Sequence, residues 1–129
     1  MRVVVVDDEL ASRLLVAIML PFHGIEVAGE AADAESALEE IARHQPDAVV
    51  LDWRLPTGNG LEILSRIRAT FPDIRVVLYT TWLDDRLGEE ATALGAAAVV
   101  AKARGSGVLA RAILGSEPTA SAQGGSRRS

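Results

Sequence analysis

Short apolar runs recur along the chain at roughly even spacing, and each is followed by a segment in which apolar residues fall at helical intervals. Runs of this length are typical of buried strands, and a repeat of three or four residues is typical of amphipathic helices. The pattern predicts five β/α units, with strands at residues 3–6, 25–28, 48–51, 74–79 and 96–101. The first predicted helix is marked by Ala11, Leu14, Leu15, Ile18 and Met19.

The order of the strands follows from how polar each run is. Strands that alternate with helices predict a parallel sheet covered on both faces. The first, third and fourth runs are unbroken hydrophobes, which suits central strands. The second run carries Glu26 and the fifth is rich in alanine, so both are expected at edges. We therefore predict an α/β fold, a flavodoxin-like (βα)5 doubly wound parallel sheet with strand order 2-1-3-4-5.

Polar side chains stand where four of these strands end. Asp7 and Asp8 follow the first strand, and Asp52 follows the third. Thr80 and Lys102 follow the fourth and fifth strands. Since the carboxyl ends of parallel strands share one edge of the sheet, we expect these side chains to meet at the point where the strand order reverses.

The three carboxylates restrict the chemistry of this edge. Two unit charges about 4 Å apart repel by roughly 4 kcal/mol at an effective dielectric of 20, so the carboxylates must protonate or bind a cation. Oxygen ligands suit Mg²⁺, which usually completes its shell with water and phosphate oxygens. Asp52, held singly at a strand end, is then placed to attack phosphorus and form an aspartyl phosphate, with Lys102 neutralising the transferring group. The Thr80 hydroxyl would contact the phosphoryl group only after transfer, as in a switch.

Composition excludes several other classes of protein. The length of 129 residues predicts one domain at 1–114, and the Ser-, Gly- and Pro-rich residues 115–129 read as a disordered tail or a linker remnant. A net charge of −5 disfavours direct nucleic-acid binding, and the lack of cysteine excludes disulfides and thiolate metal sites. No apolar run is long enough to span a membrane and no signal-peptide core is present, so we expect a cytoplasmic protein without membrane contact.

Basic residues show one marked bias. Of the 13 basic residues, 12 are arginine, and the single lysine is Lys102. A compact ammonium on a flexible stem is suited to contact one phosphoryl oxygen, and a planar guanidinium does not replace it simply. The bias therefore supports a specific role for Lys102.

Four motifs, in this order and spacing, together resemble the receiver domain of bacterial response regulators over residues 2–114, with a likeness to the NarL/FixJ group. They are Asp7-Asp8-Glu9, Leu51-Asp52-Trp53-Arg54-Leu55-Pro56 with Gly60 downstream, Leu78-Tyr79-Thr80-Thr81, and Lys102.

The resemblance implies a role for each of these positions. Asp52 would be the phosphoacceptor, and Mg²⁺ would be held by the carboxylates of Asp7, Asp8 and Asp52 and by the backbone carbonyl of Arg54. By the same resemblance Thr80 is the switch hydroxyl, and Lys102 contacts the phosphoryl group.

The resemblance also implies partners. The phosphoryl donor would be a sensor histidine kinase, a phosphotransfer protein or a small molecule such as acetyl phosphate. Apart from the resemblance, no effector domain follows residue 114 and the net charge is −5, so we expect output to pass to a downstream protein partner or through a homodimer, without direct nucleic-acid contact. The chain would catalyse only its own phosphorylation and dephosphorylation, and would not be an enzyme acting on other substrates.

One departure and two alternatives remain. Receivers of this kind usually carry Tyr or Phe three residues before the lysine, where this chain has Val99, so signalling through an aromatic rotation is in doubt. A pseudo-receiver that acts as an interaction module without phosphorylation is the first alternative. A flavodoxin-like FMN protein is the second, and Asp7-Asp8-Glu9 argues against it because these acids would repel a phosphate.

Overall fold

The main sheet has the predicted architecture. In the computed structural model, which describes residues 1–55 and 58–115, five strands run parallel to one another. They are β1 (Arg2–Val6), β2 (Glu26–Ala31), β3 (Ala48–Leu51), β4 (Arg75–Thr80) and β5 (Ala98–Ala101). Their order across the sheet is β2-β1-β3-β4-β5, which confirms the predicted order 2-1-3-4-5 and places both polar or alanine-rich strands at the edges.

A helix follows each strand. The five helices are α1 (Leu10–Met19), α2 (Ala34–His44), α3 (Gly60–Thr70), α4 (Asp85–Ala93) and α5 (Ser106–Leu114). Two 3-10 turns extend the pattern, one from Leu20 to His23 after α1 and one from Lys102 to Arg104 after β5. Side-chain caps begin three helices, because Asp33, Asn59 and Asp84 each accept a hydrogen bond from a backbone N–H of the first turn.

Alternate residues of the strands supply two cores, one on each face of the sheet. Val4 and Val6 belong to the core that α2, α3 and α4 cover. Val3 and Val5 belong to the core that α1 and α5 cover. Because the central strands are buried on both faces, their carboxyl ends are held in place by packing from two sides.

The observed strands differ from the predicted ones at their ends. Strand β2 continues to Ala31, three residues beyond the predicted end, and its pairing with β1 is irregular between Val3 and Val4. An edge strand tolerates exposed charge, so β2 can include Glu30. Because Glu30 is polar, the apolar pattern of the sequence did not predict this longer strand. Strand β5 begins only at Ala98, and β4 includes Thr80 as its last residue.

A two-stranded ribbon, which the sequence analysis did not predict, follows Asp52. Arg54–Leu55 pairs antiparallel with Gly58–Asn59. The polar and glycine-rich composition of this segment carries no strand period, so the pattern did not predict the pairing.

The apolar positions that marked α1 in the sequence are mostly on its outer side. Leu14, Leu15 and Ile18 are exposed, and so is Phe22 just beyond the helix, whereas Val16 is the buried residue of α1. This helix is apolar on almost every side, so its period identified a helix but not the face that packs on the sheet. Within residues 1–55 and 58–115, no helix is both long and apolar enough to cross a membrane.

Gly60 lies where the loop after β3 meets α3. A Cβ at this position would overlap the Cα of Trp53 and lie 2.9 Å from the carbonyl oxygen of Asp52. The Gly60 N–H also donates to the Trp53 carbonyl oxygen. The absence of a side chain at Gly60 therefore lets α3 begin against the backbone that carries Asp52.

We expect Leu109→Ala to lower the free energy of unfolding by about 3 kcal/mol, because Leu109 is fully buried between α5 and the sheet and its truncation leaves a cavity. The matched control, Leu114→Ala in the same helix, removes a side chain that is 47% exposed. It should change stability by about 0.5 kcal/mol or less. Urea unfolding measures both, and equal losses would contradict the assignment of α5 to the core.

We expect Gly60→Ala to lower the free energy of unfolding by about 1–3 kcal/mol, because the added methyl group meets backbone atoms that cannot move aside cheaply. Gly88→Ala is the control, since it lies within α4 and its Cβ would meet nothing closer than 3.9 Å. Alanine should stabilise this helix by about 0.5–1 kcal/mol. Urea unfolding measures both changes, and a change in unfolding free energy of the same sign for both variants would show that the close approach at Gly60 is wrong.

Candidate functional site

Strand pairing brings the predicted acidic residues together at one edge of the sheet. Asp7 directly follows β1, and its N–H donates to the Ala31 carbonyl of β2 at 3.0 Å. Asp52 directly follows β3, and its N–H donates to the Val6 carbonyl of β1 at 3.0 Å. The backbone ladder thus continues through both aspartates, so their side chains project from rigid positions.

The three carboxylates converge as predicted. Each of Asp7, Asp8 and Asp52 offers an oxygen, and these oxygens lie within 4.8 Å of one another. Asp7 is 3% exposed and Asp52 is 9% exposed, whereas Asp8 is exposed to solvent. A cluster of two buried acids and one open acid is a suitable oxygen site for a hard divalent cation that keeps part of its water shell.

In each buried aspartate, one carboxylate oxygen accepts a hydrogen bond from a backbone N–H group. Asp7 Oδ1 accepts from the Glu9 N–H at 2.9 Å. Asp52 Oδ1 accepts from the Arg54 N–H at 3.2 Å. The Arg54 side chain itself is exposed, so what the structure places at the site is the Arg54 backbone.

Lys102 bridges the two buried acids. Its Nζ donates to Asp7 Oδ2 at 2.7 Å and to Asp52 Oδ2 at 3.1 Å. The third donor of the ammonium goes to Ser12 Oγ at 2.8 Å. One ammonium therefore offsets part of the repulsion between two carboxylates that come from different strands.

Burial and charge shift the pKa values of this group. Burial raises the pKa of Asp52, although the Arg54 N–H and the Lys102 charge act in the opposite direction. Burial alone would lower the pKa of Lys102, but the hydrogen bond to Asp7 and the charges of Asp52 and Asp7 outweigh it, so its pKa is raised. Lys102 is therefore held as an ammonium.

Thr80 lies at the end of β4 and is fully buried. Its Oγ1 accepts a hydrogen bond from the Trp82 N–H at 3.4 Å. Together with Asp52 and Lys102 it lines an open cleft of about 730 Å³, whose rim includes the exposed indole of Trp82. The cleft is therefore lined by four of the five strand-end residues predicted from the sequence, Asp8, Asp52, Thr80 and Lys102. The fifth, Asp7, contacts Lys102.

Two residues of α1 complete the site, and the sequence interpretation did not include them. Ser12 accepts from Lys102, as described above. Arg13 NH1 donates to the Asp7 carbonyl at 2.7 Å, and Arg13 also pairs with Glu30 of β2 at 3.2 Å. The sequence feature that could have identified them is a pair of adjacent polar residues in the first turn of an otherwise apolar helix.

Val99 and Trp53 are two further side chains near the site, and both pack in the same core. Val99 is buried in the core beneath α4, so a compact aliphatic side chain fills the position of the usual aromatic ring. Trp53 Nε1 is buried without a hydrogen-bond partner among the described residues.

Comparisons with known proteins agree with this geometry. The family model for the response regulator receiver domain matches residues 3–114. The DNA-binding transcriptional activator DevR/DosR of Mycobacterium tuberculosis is 34% identical over 113 residues, which is 87% of this chain and 52% of that protein. Protein CcdB of Bacillus subtilis is 35% identical over 101 residues, which is 78% of this chain and 84% of that protein. The chain thus spans about half the length of DevR/DosR and most of the length of CcdB.

Solved structures show the same fold. The signal receiver domain of the putative response regulator NarL from Mycobacterium tuberculosis has a TM-score of 0.82 at 33% identity, covering 88% of this chain and 93% of that one. A LuxR-family two-component response regulator from an Aurantimonas species has a TM-score of 0.84 at 30% identity, covering 88% of this chain and 82% of that one.

These similarities to NarL and LuxR-family proteins confirm the likeness to the NarL/FixJ group. The strand order, the acidic edge and the match over residues 3–114 lead to one conclusion: the chain belongs to the response regulator receiver domain family of two-component systems.

Proposed function

We propose that Asp52 of this receiver domain accepts a phosphoryl group with the help of Mg²⁺ and that the resulting aspartyl phosphate switches the conformation of the domain. The observation that carries the proposal is the contact of Lys102 Nζ with both Asp7 Oδ2 and Asp52 Oδ2. This contact places the Asp52 carboxylate beside a cation in a cleft that is open to solvent.

The donor set fits the ion that receiver domains bind. The carboxylates of Asp7, Asp8 and Asp52, with the backbone carbonyl of Arg54, would hold Mg²⁺. These are all oxygen ligands, and the exposure of Asp8 leaves room for water and for phosphoryl oxygens. When bound, the ion would draw negative charge from the oxygens of the transferring group.

The residues of the chain supply the remaining functions. An Asp52 carboxylate oxygen attacks phosphorus, so the new P–O bond forms as the bond from phosphorus to the donor breaks, and the donor leaves with that electron pair. Asp52 is aligned for attack by the Arg54 N–H at its other oxygen. Lys102 offers an ammonium donor to one phosphoryl oxygen.

The switch would depend on Thr80. Its buried hydroxyl stands at the end of β4 beside the same cleft as Asp52, within reach of the loop that leads to α4. A phosphoryl oxygen accepts hydrogen bonds strongly, so the Thr80 hydroxyl would turn to donate to it, and the Trp82 N–H that donates to the same hydroxyl oxygen would move with it. Since Val99 fills the position of the usual ring, we propose that the movement of this loop carries the signal without an aromatic rotation.

The partners follow from the family. Receiver domains interact with histidine kinases or phosphotransfer proteins, and we propose such a donor here in the cytoplasm. The exposed apolar side chains of Leu14, Leu15 and Ile18 lie on the helix that begins beside the cleft, so a donor protein could cover them while it reaches Asp52. Output would pass to a downstream protein or a homodimer, without direct nucleic-acid contact and without catalysis on other substrates.

Domain limits remain a prediction. We propose residues 1–114 as the receiver domain. The predicted tail, 115–129, lies outside the described residues except for Gly115, which ends α5 in a left-handed conformation.

Incubation with Mg²⁺ and acetyl phosphate should add the mass of one phosphoryl group to the wild-type protein and none to Asp52→Asn. Asp73→Asn is the control, because Asp73 is an exposed acid outside the cleft, and it should be phosphorylated as the wild type is. Intact-protein mass spectrometry measures all three. An unmodified wild type, with a histidine kinase also failing as donor, would favour the pseudo-receiver.

Lys102→Arg should slow phosphorylation by acetyl phosphate about tenfold, which corresponds to about 1.4 kcal/mol. The guanidinium keeps the charge but cannot occupy the compact position between Asp7 and Asp52. Arg104→Lys, an exchange of the same two residue types at an exposed position of the same turn, should leave the rate unchanged. The time course of adduct formation is the measurement, and equal rates for Lys102→Arg and wild type would show that position 102 needs only a positive charge.

A further inference from the structure

The Lys102 ammonium has three hydrogen-bond partners, and one of them differs in kind from the others. Two are the carboxylates of Asp7 and Asp52, at 2.7 and 3.1 Å. The third is the neutral hydroxyl of Ser12, at 2.8 Å. Because an ammonium has three donors, this set satisfies it completely.

The two carboxylates can bind a cation as well as Lys102. Asp7 and Asp52 belong to the acidic cluster whose oxygens lie within 4.8 Å of one another, and a cation held there would compete with Lys102 for them. Phosphorylation would further change Asp52 itself. Ser12 is outside this cluster, so its contact with Lys102 is the one that neither event removes.

Ser12 is also firmly placed. It lies in the first turn of α1, and the adjacent Arg13 ties that turn to the Asp7 carbonyl and to Glu30. Val16, one turn later, anchors the helix in the core. The hydroxyl therefore stands on a rigid element, as a positioning group must.

Packing alone does not hold the lysine in place. Lys102 and Ser12 both line a second cavity of about 270 Å³, between α1 and the turns before α5, which also borders Leu15, Met19 and Tyr79. The long lysine side chain has up to about 2 kcal/mol of rotamer entropy to lose, and open space beside it favours other rotamers. A hydrogen bond at the ammonium is then what selects one position.

We propose that Ser12 is a positioning residue that keeps the Lys102 ammonium directed at the phosphoacceptor while the carboxylates change partners. This inference rests on the proposed function, since it concerns phosphorylation of Asp52. It assigns a role in the phosphorylation step to a hydroxyl on α1, outside the strand ends that carry the rest of the site.

The test compares Ser12→Val with Ser12→Thr. The two side chains have nearly the same shape and similar helix propensity, so they differ mainly in the hydroxyl. The cavity beside Ser12 leaves room for the added methyl groups. Equal melting temperatures for the two variants will show that any difference between them does not come from stability.

The first measurement needs neither metal nor phosphoryl donor. Lys102 is the only lysine of the chain, so labelling with ¹⁵N-lysine gives a single side-chain ammonium signal. We expect the ammonium hydrogens to exchange with water about tenfold faster in Ser12→Val than in wild type, and Ser12→Thr to resemble wild type. Equal exchange in all three proteins would show that the hydroxyl does not hold the ammonium.

The second measurement is the rate of phosphorylation by acetyl phosphate with Mg²⁺. Ser12→Val should lower the maximal rate about five- to tenfold and change the half-saturating donor concentration less than twofold, and Ser12→Thr should restore the rate. Ser12→Val at the wild-type rate, or Ser12→Thr as slow as Ser12→Val, would overturn the inference while leaving the proposed function intact. Absence of the adduct from wild type would instead overturn the proposed function.

Discussion

Repulsion among acidic side chains at one edge of the sheet is the constraint that organises this protein. Two aspartates are buried side by side because they follow adjacent central strands, and a third lies next to them in solvent. Uncompensated, neighbouring carboxylates in a partly buried site repel by several kcal/mol. Lys102 offsets part of this repulsion through contacts with Asp7 and Asp52, which are 95 and 50 residues away in sequence. The remaining negative charge is what makes the site attractive to a divalent cation.

The sheet explains why such a site stays ordered. Backbone hydrogen bonds continue past the last residues of β1 and β3, so Asp7 and Asp52 are fixed by the ladder itself. Both faces of the sheet are covered by helices, and the valines of the central strands are almost completely buried. Gly60 adds a local constraint, because α3 begins in contact with the backbone that carries Asp52. The acidic side chains therefore have little freedom to separate, and their charge must be met by a cation.

The residues around the cleft bear on how the proposed switch would work. Thr80 is buried at the end of β4 and its hydroxyl accepts from the next loop, which leads to α4 through Asp84, the cap of that helix. Val99 is packed into the core on the same side, so the space that a rotating ring would need is occupied by aliphatic side chains. On the opposite side of the sheet, α1 presents exposed apolar residues next to the site. The proposed phosphoryl site and the exposed apolar side chains of α1 are thus close together in the sequence and in the fold.

The spacing of apolar residues in the sequence was enough to predict the fold and most of the site. Strand and helix repeats are local properties, and parallel strands with right-handed connections place their carboxyl ends at one edge, so Asp7, Asp8, Asp52, Thr80 and Lys102 could be assembled without coordinates. The tertiary structure decided what periodicity does not encode. It showed which face of the mostly apolar α1 packs on the sheet, because only contacts with β1 and α5 select that face. It extended β2 to Ala31 and formed the ribbon after Asp52, since hydrogen bonds to a neighbouring strand can override a polar pattern. It also brought Ser12 to Lys102, a contact between residues 90 positions apart that depends on how far α1 approaches the end of β5.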